Sequence, residues 1–339
     1  MATKADRYEG IEGLKAYAII GIALMHVLAN GKYGMGGFVF ERFIPSFTNL
    51  VFLFMMVSGF GMCCGYYQKI VDQKISVEDF YKKRYIKIWP YFALLCALDF
   101  VISPSKNSLH EVFANLTLCQ GLLPDAHISV IGVSWTLAVI FVFYMLFPFF
   151  CFLIGNKRRA WGVAAAALVF NWLCGSYFNA GRTNIVYDAI YFIAGGLIFL
   201  YRKELAEFAS KYKIVAAAIL LIATVAYFAL GSSTLTMLFF CVAALIYTLG
   251  CRTGGGVLVN PVAKFLGGIS FEIYLCHMVI YRVLEKLHLV HLFGSGLLAY
   301  IFTAVAVICG SVVFSVCAKW FLNKIETFLK ERVRRVNHV

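Results

Sequence analysis

The stretch VIGVSWTLAVIFVFYMLFPFFCFLI, residues 130–154, runs for 25 positions without an Asp, Glu, Lys or Arg. About 20 apolar residues cross a hydrocarbon core of roughly 30 Å as a helix, so this stretch is long enough to span a membrane. Working outward, similar runs centre near residues 14–31, 44–66, 86–103, 160–178, 184–201, 213–231, 234–250, 268–287 and 294–318. The sequence therefore predicts an all-α, polytopic integral membrane bundle of about ten transmembrane helices. The segment 109–123, with Asn115 and Gln120, is too short and too polar to span and reads as a re-entrant or interfacial helix.

Composition points the same way. The chain has 339 residues, 62% of them hydrophobic and 14% charged, with a mean hydropathy of +0.82. A soluble domain carries roughly 45–50% apolar residues. The net charge of +13 is not the footprint of a nucleic-acid binder, because the basic residues lie between runs of spanning length. Eleven cysteines fall mostly singly inside apolar runs, with no CxxC pair. They read as small membrane hydrophobes, with no metal site and no disulfide framework.

Sorting basic residues by side gives the orientation. With a cytoplasmic N-terminus, 24 of the 30 Lys and Arg fall on the cytoplasmic side; Lys32, Arg42, Lys106, Arg182, Arg282 and Lys286 are the other six. The positive-inside rule then places both termini in the cytoplasm and makes the span number even. Residues 10–320 form the bundle and residues 321–339 a basic cytoplasmic tail, one membrane domain throughout.

Ionisable side chains in hydrocarbon cost at least ~2.5 kcal/mol each, so those kept at depth are candidates for function. Here they are His26, Asp99, Asp188, Glu272 and His277. His26 follows Lys15 by eleven residues, about three turns, so both project from one helix face about 16 Å apart. A neutral imidazole there can deprotonate an attacking hydroxyl; the bland alternative is a structural histidine bonded to a carbonyl.

Lys83, Arg84 and Lys87 stack on one face where the third span begins. They suit a phosphate-bearing ligand and equally a lipid-facing anchor. Ser270, Tyr274, His277 and Tyr281 share one helical face, and Asn184, Asp188 and Tyr191 make a shorter stripe. Such stripes must face protein or a water-filled cavity, as a pore or as glue between helices.

Several blocks in this order resemble the membrane-bound acyltransferase-3 family, polytopic O-acyltransferases of bacterial surface glycans. The opening Glu9-Gly10-Ile11-Glu12-Gly13-Leu14-Lys15 followed by His26 is similar to the family's basic residue, ten residues, then His. Val57-Ser58-Gly59-Phe60 follows, and Arg84-Tyr85-Ile86-Lys87 before Pro90 resembles its RxxR segment. Ser134-Trp135-Thr136-Leu137 and Ile269-Ser270-Phe271-Glu272-Ile273-Tyr274-Leu275-Cys276-His277 resemble later blocks.

The resemblance implies transfer of an acyl group, commonly acetyl from cytoplasmic acetyl-CoA, to a hydroxyl of an extracytoplasmic glycan or lipid-linked sugar. The enzyme would sit in the cell membrane among lipids, with no bound cofactor. His26 would be catalytic, Lys15 its basic companion, and Arg84 and Lys87 would lie near the CoA phosphates. Trp135, Asp188, Ser270, Glu272, Tyr274 and His277 are candidates for lining a pore or substrate path, with packing between helices as the other reading. Lys15 and Lys87 stand where Arg is commoner in the family, keeping charge but losing the bidentate fork. The family's Glu after the Trp block is absent at Ile140, which leaves Glu272 or Asp188 to replace it. The competing class is a transporter or flippase that uses the same stripes as a permeation path.

Overall fold

The chain is seen here as a computed structural model that describes residues 8–102, 104–122, 128–251 and 256–336, with side chains through residue 328. Among these residues the regular structure is helical. In chain order the helices are α1 (Gly10–Gly31), α2 (Val39–Val71, with tightened and widened turns), α3 (Val77–Ile102) and α4 (Lys106–Thr117). Next come α5 (Ser134–Leu153), α6 (Lys157–Ser176), α7 (Ile185–Leu200) and α8 (Arg202–Lys211). The series closes with α9 (Lys213–Leu230), α10 (Thr234–Gly250), α11 (Pro261–Gly268), α12 (Ser270–Lys286) and α13 (Leu297–Val336).

Local chemistry sets many of the boundaries. Ser105, Asn156, Asn184 and Asn260 each accept a backbone N–H of the first turn that follows, at the starts of α4, α6, α7 and α11. Pro261 sits at the first position of α11, where its missing N–H costs nothing. Ser233 and Thr236 close a reciprocal box at the start of α10.

Each of the ten apolar runs folds as helix, but the expected count of ten spans is not reached. By length and composition, six described helices are able to cross a membrane, or eight if each of two bent pairs is one span. The pairs are α7 with α8, bent by 77°, and α11 with α12, bent by 72°. Of the remaining runs, α10 has only 17 residues, and α6 begins Lys157-Arg158-Arg159 and carries Asn171. The polar segment near 109–123 becomes most of the short helix α4, with Asn115 buried, and a tight helical turn, Gln120–Leu122, with Gln120 buried; residue 123 lies outside the described residues, as do Lys4 and Arg7 of the N-terminus.

Close helix crossings rest on glycines. A Cβ on Gly59 of α2 would lie 2.5 Å from the Phe192 carbonyl oxygen of α7, and one on Gly195 of α7 would collide with the Met56 carbonyl. Gly13 of α1 meets Leu258 in the same way, and Gly267 of α11 meets Glu12 of α1. Without a strong hydrophobic drive between helices in lipid, such backbone approach is how spans gain packing contact. Aromatic stacking fills the interior: Phe143 lies 4.2 Å from Phe192 and Phe52 4.5 Å from Tyr191, centroid to centroid. Many large apolar side chains, among them Trp172, Ile214 and Leu221, point outward, as a lipid-facing surface requires.

Candidate active site

The polar residues gather at two levels. At the first, near the starts of α1, α3 and α12, Lys15, Arg84, Glu272 and Lys319 all lie within electrostatic range of Lys87. This is the basic end of the bundle. Arg84 is fixed by aromatic neighbours: its Nη2 donates to the Tyr66 hydroxyl at 2.5 Å, and the guanidinium stands 4.6 Å from the centre of that ring and 5.9 Å from that of Tyr144. Lys15 pairs with Glu12 at 2.7 Å and Lys319 with Glu272 at 2.8 Å. Among the described residues that leaves Arg84 and Lys87 without a carboxylate. Lys83 is exposed and joins no ion pair there.

Eleven residues along α1 from Lys15, His26 meets His277 of α12. The two ring centroids are 5.2 Å apart with 47° between the planes. His277 is completely buried, and its Nδ1 lies 2.7 Å from the Tyr274 carbonyl oxygen and 3.3 Å from that of Ile273. A carbonyl accepts, so Nδ1 carries the hydrogen of the neutral ring, and Nε2 is left as a buried lone pair with no partner. Tyr274 is tied to α5, its hydroxyl 2.9 Å from Thr136 Oγ1 and 3.1 Å from the Val133 carbonyl oxygen.

Beyond the histidines, at the far end, the Arg182 guanidinium stands 4.8 Å from the ring centre of Trp135, and its Nη1 donates to Thr48 Oγ1 at 3.0 Å. Arg182 lies within electrostatic range of His26, Tyr274 and Asp188. Asp188 is fully buried, and among the described residues neither carboxylate oxygen has a hydrogen-bond partner. Next to this group a cavity of about 280 Å³ is lined by Gln120, Ser129, Ser134, Trp135 and Thr183, among others.

The rim of that cavity is held by two carboxylates. Asp99 accepts from Arg282 Nη1 at 2.7 and 2.8 Å and from the Ile131 N–H at 3.1 Å. Glu111 accepts from the Ser129 N–H and hydroxyl and from the Val130 N–H, all within 2.8 Å. Burial alone would push the Glu111 carboxyl up, but those hydrogen bonds and Arg282 outweigh it and hold it below the ordinary carboxylate range.

Of the residues singled out in the sequence, His26, Tyr274 and His277 come together with Trp135 close by, and Lys15, Arg84, Lys87 and Glu272 form the basic cluster. Ser270 leaves the stripe: its hydroxyl donates to the Gly267 carbonyl at 2.8 Å and braces the bend between α11 and α12. Asp99, a candidate by depth, is taken up by Arg282. Reading by sequence passed over Arg182, Lys319 and Gln120. Arg182 had one signal, a lone cation between two apolar runs beside Thr183 and Asn184.

A helical membrane bundle with a histidine pair between a cationic mouth and a polar cavity defines a class of site fit for moving a group between two substrates. The family described as an acyltransferase domain, acyltransferase-3, matches residues 8–316. The chain belongs to that family and is a membrane acyltransferase. No curated protein and no solved structure matches the chain.

Proposed function

We propose that the protein transfers an acyl group, acetyl as the first expectation, from cytoplasmic acyl-CoA to a hydroxyl of an extracytoplasmic glycan or lipid-linked sugar. The observation that carries the proposal is the His26–His277 pair. It stands about 16 Å along α1 from a cluster in which, among the described residues, Arg84 and Lys87 join no ion pair. In this reading the CoA phosphates rest on Arg84, Lys87 and Lys15, and the pantetheine arm runs up between α1, α3 and α12 to bring the thioester to the histidines.

The chemistry needs one proton acceptor. The acceptor oxygen attacks the thioester carbonyl carbon as His26 takes its proton; the tetrahedral intermediate collapses, the C–S bond breaks, and His26 passes the proton to the departing thiolate, so that CoA leaves as the thiol toward the basic end and His26 is neutral again. His277, locked by the Tyr274 carbonyl, is a positioning residue whose ring packs against that of His26. General base catalysis of this kind contributes roughly 10²- to 10⁴-fold.

The test is transfer of labelled acetyl from acetyl-CoA by the full chain in proteoliposomes, with acetyl-CoA binding measured in parallel. His26→Ala is expected to bind acetyl-CoA with unchanged affinity and to lose transfer. Full transfer by that variant would end the base assignment, and a folded wild type that bound neither acetyl-CoA nor CoA would end the donor assignment.

A further inference from the structure

The far-end cavity carries chemistry that the transfer step does not use. Arg182 has five N–H donors in a planar fork, and the described residues occupy it with one hydrogen bond, to Thr48, and the face of Trp135. No carboxylate lies within ion-pair distance of it among the described residues. Asp188, the acid within its electrostatic range, is buried and takes no hydrogen bond from it. The two carboxylates at the cavity rim, Glu111 and Asp99, are bonded to loop N–H groups and Arg282. Arg182, stacked on Trp135 and next in the chain to Thr183, both of which line the cavity, is thus a cation at its edge with no ion-pair carboxylate among the described residues.

A second, independent feature lies in the wall. Gln120 is buried; its Nε2 donates to Asn115 Oδ1 at 2.7 Å and lies 3.3 Å from Ser134 Oγ, whereas its Oε1 is buried with no partner. Gln120 thereby ties the wall of the cavity to Asn115 of α4 and Ser134 of α5. The Ser129, Ser134 and Thr183 hydroxyls share the lining with the indole of Trp135. One wall therefore suits a polyhydroxylated ring and one corner suits an anion.

We propose that the acceptor bound in this cavity is an acidic sugar, one that carries a carboxylate or phosphate held by Arg182 at the cavity edge. This rests on the acyltransferase reading above and adds the charge of the acceptor. The anion takes the uncommitted edge of the guanidinium, in the bidentate geometry that Arg favours. A hydroxyl of the same ring is then presented toward His26, within the electrostatic field of Arg182.

The experiment measures binding to the purified full chain with CoA saturating, so that the basic end is occupied. The probes are glucuronate, glucose 1-phosphate and neutral glucose, each tested on wild type, Arg182→Gln and Arg182→Lys. Wild type is expected to prefer at least one anionic probe over glucose by about tenfold or more. Arg182→Gln should abolish the preference with CoA affinity unchanged, and Arg182→Lys should keep part of it. The two anionic arms separate carboxylate from phosphate. Equal affinity for all three sugars, no binding of any of them, or a preference that survives Arg182→Gln would overturn the proposal. Failure to bind CoA would count against the donor assignment; the sugar arm, repeated on an Arg84→Ala/Lys87→Ala chain, still decides the role of Arg182.

Discussion

His26 and His277 are separated by 251 positions in the chain, yet their imidazoles stand 5.2 Å apart, and one of them has a ring nitrogen fixed by the carbonyl of its own helix. Two rings in such contact act as a unit, which makes their mutational effects non-additive. His26→Ala is expected to cut transfer by roughly 10²- to 10⁴-fold and His277→Ala by less. The double variant should be no worse than His26→Ala alone. Initial rates of acetyl transfer for the four forms check this; multiplying effects would mean that the rings work independently.

Lys319 and Glu272 balance charge at the basic end. Removing the acid with Glu272→Gln leaves one more uncompensated cation beside Lys87, so CoA is expected to bind more tightly. Lys319→Met leaves a free carboxylate there and should weaken binding. With both partners partly exposed, each change should amount to roughly two- to fivefold, and the double variant should return close to wild type. Equilibrium CoA binding at low and high salt reads both the size and the electrostatic origin.

The crossing of α1 by the segment that leads into α11 should resist even a methyl group. A Cβ at Gly13 would run into the Leu258 backbone, whereas Gly61 has open space around it. Gly13→Ala is expected to destabilise the fold by about 1–3 kcal/mol, and Gly61→Ala to be neutral or slightly stabilising, since Ala is the better helix former. Thermal unfolding in detergent compares them, and equal melting points would remove the crossing from the account.

Glu111 ties stability to pH. Its folded-state pKa is lowered from the ordinary 4.5, so its contribution is complete above that value and is lost as pH falls through the lower folded one. The melting temperature should therefore drop as the solution is acidified below about pH 4.5. Glu111→Gln should be less stable than wild type at neutral pH and converge with it in acid. Parallel curves for the two proteins would show that the rim of the cavity draws no stability from the carboxylate.

How much of this was legible beforehand follows from what sequence patterns encode. Each apolar run marks a helix because hydrocarbon burial leaves its signature in composition residue by residue, and Lys15 and His26 fall on one face because a single helix fixes their angle. The bends after Leu200 and Gly268 left little trace, since a turn between two apolar helices changes direction without changing polarity. The meeting of His26 with His277, of Lys319 with Glu272 and of Arg182 with Trp135 depends on which helices are neighbours, and periodicity along one helix carries no such information. Ser270 shows the converse: its place in a polar stripe was correct as spacing, but a hydroxyl at the start of a helix finds the preceding turn's carbonyl first.

The 72° break between α11 and α12 has an electrical consequence. With Gly267 pressed against Glu12 and Glu272 beside Lys319, α12 starts at the level of the cationic mouth, and its N-cap residue, Ile269, makes no side-chain cap. The positive pole of its peptide dipoles, about half an elementary charge, is thereby built into the backbone at that level. Stripping Lys15, Arg84 and Lys87 one after another would lower the positive potential there step by step, yet a remainder would persist that no side-chain substitution removes, because it is written into where the helix begins.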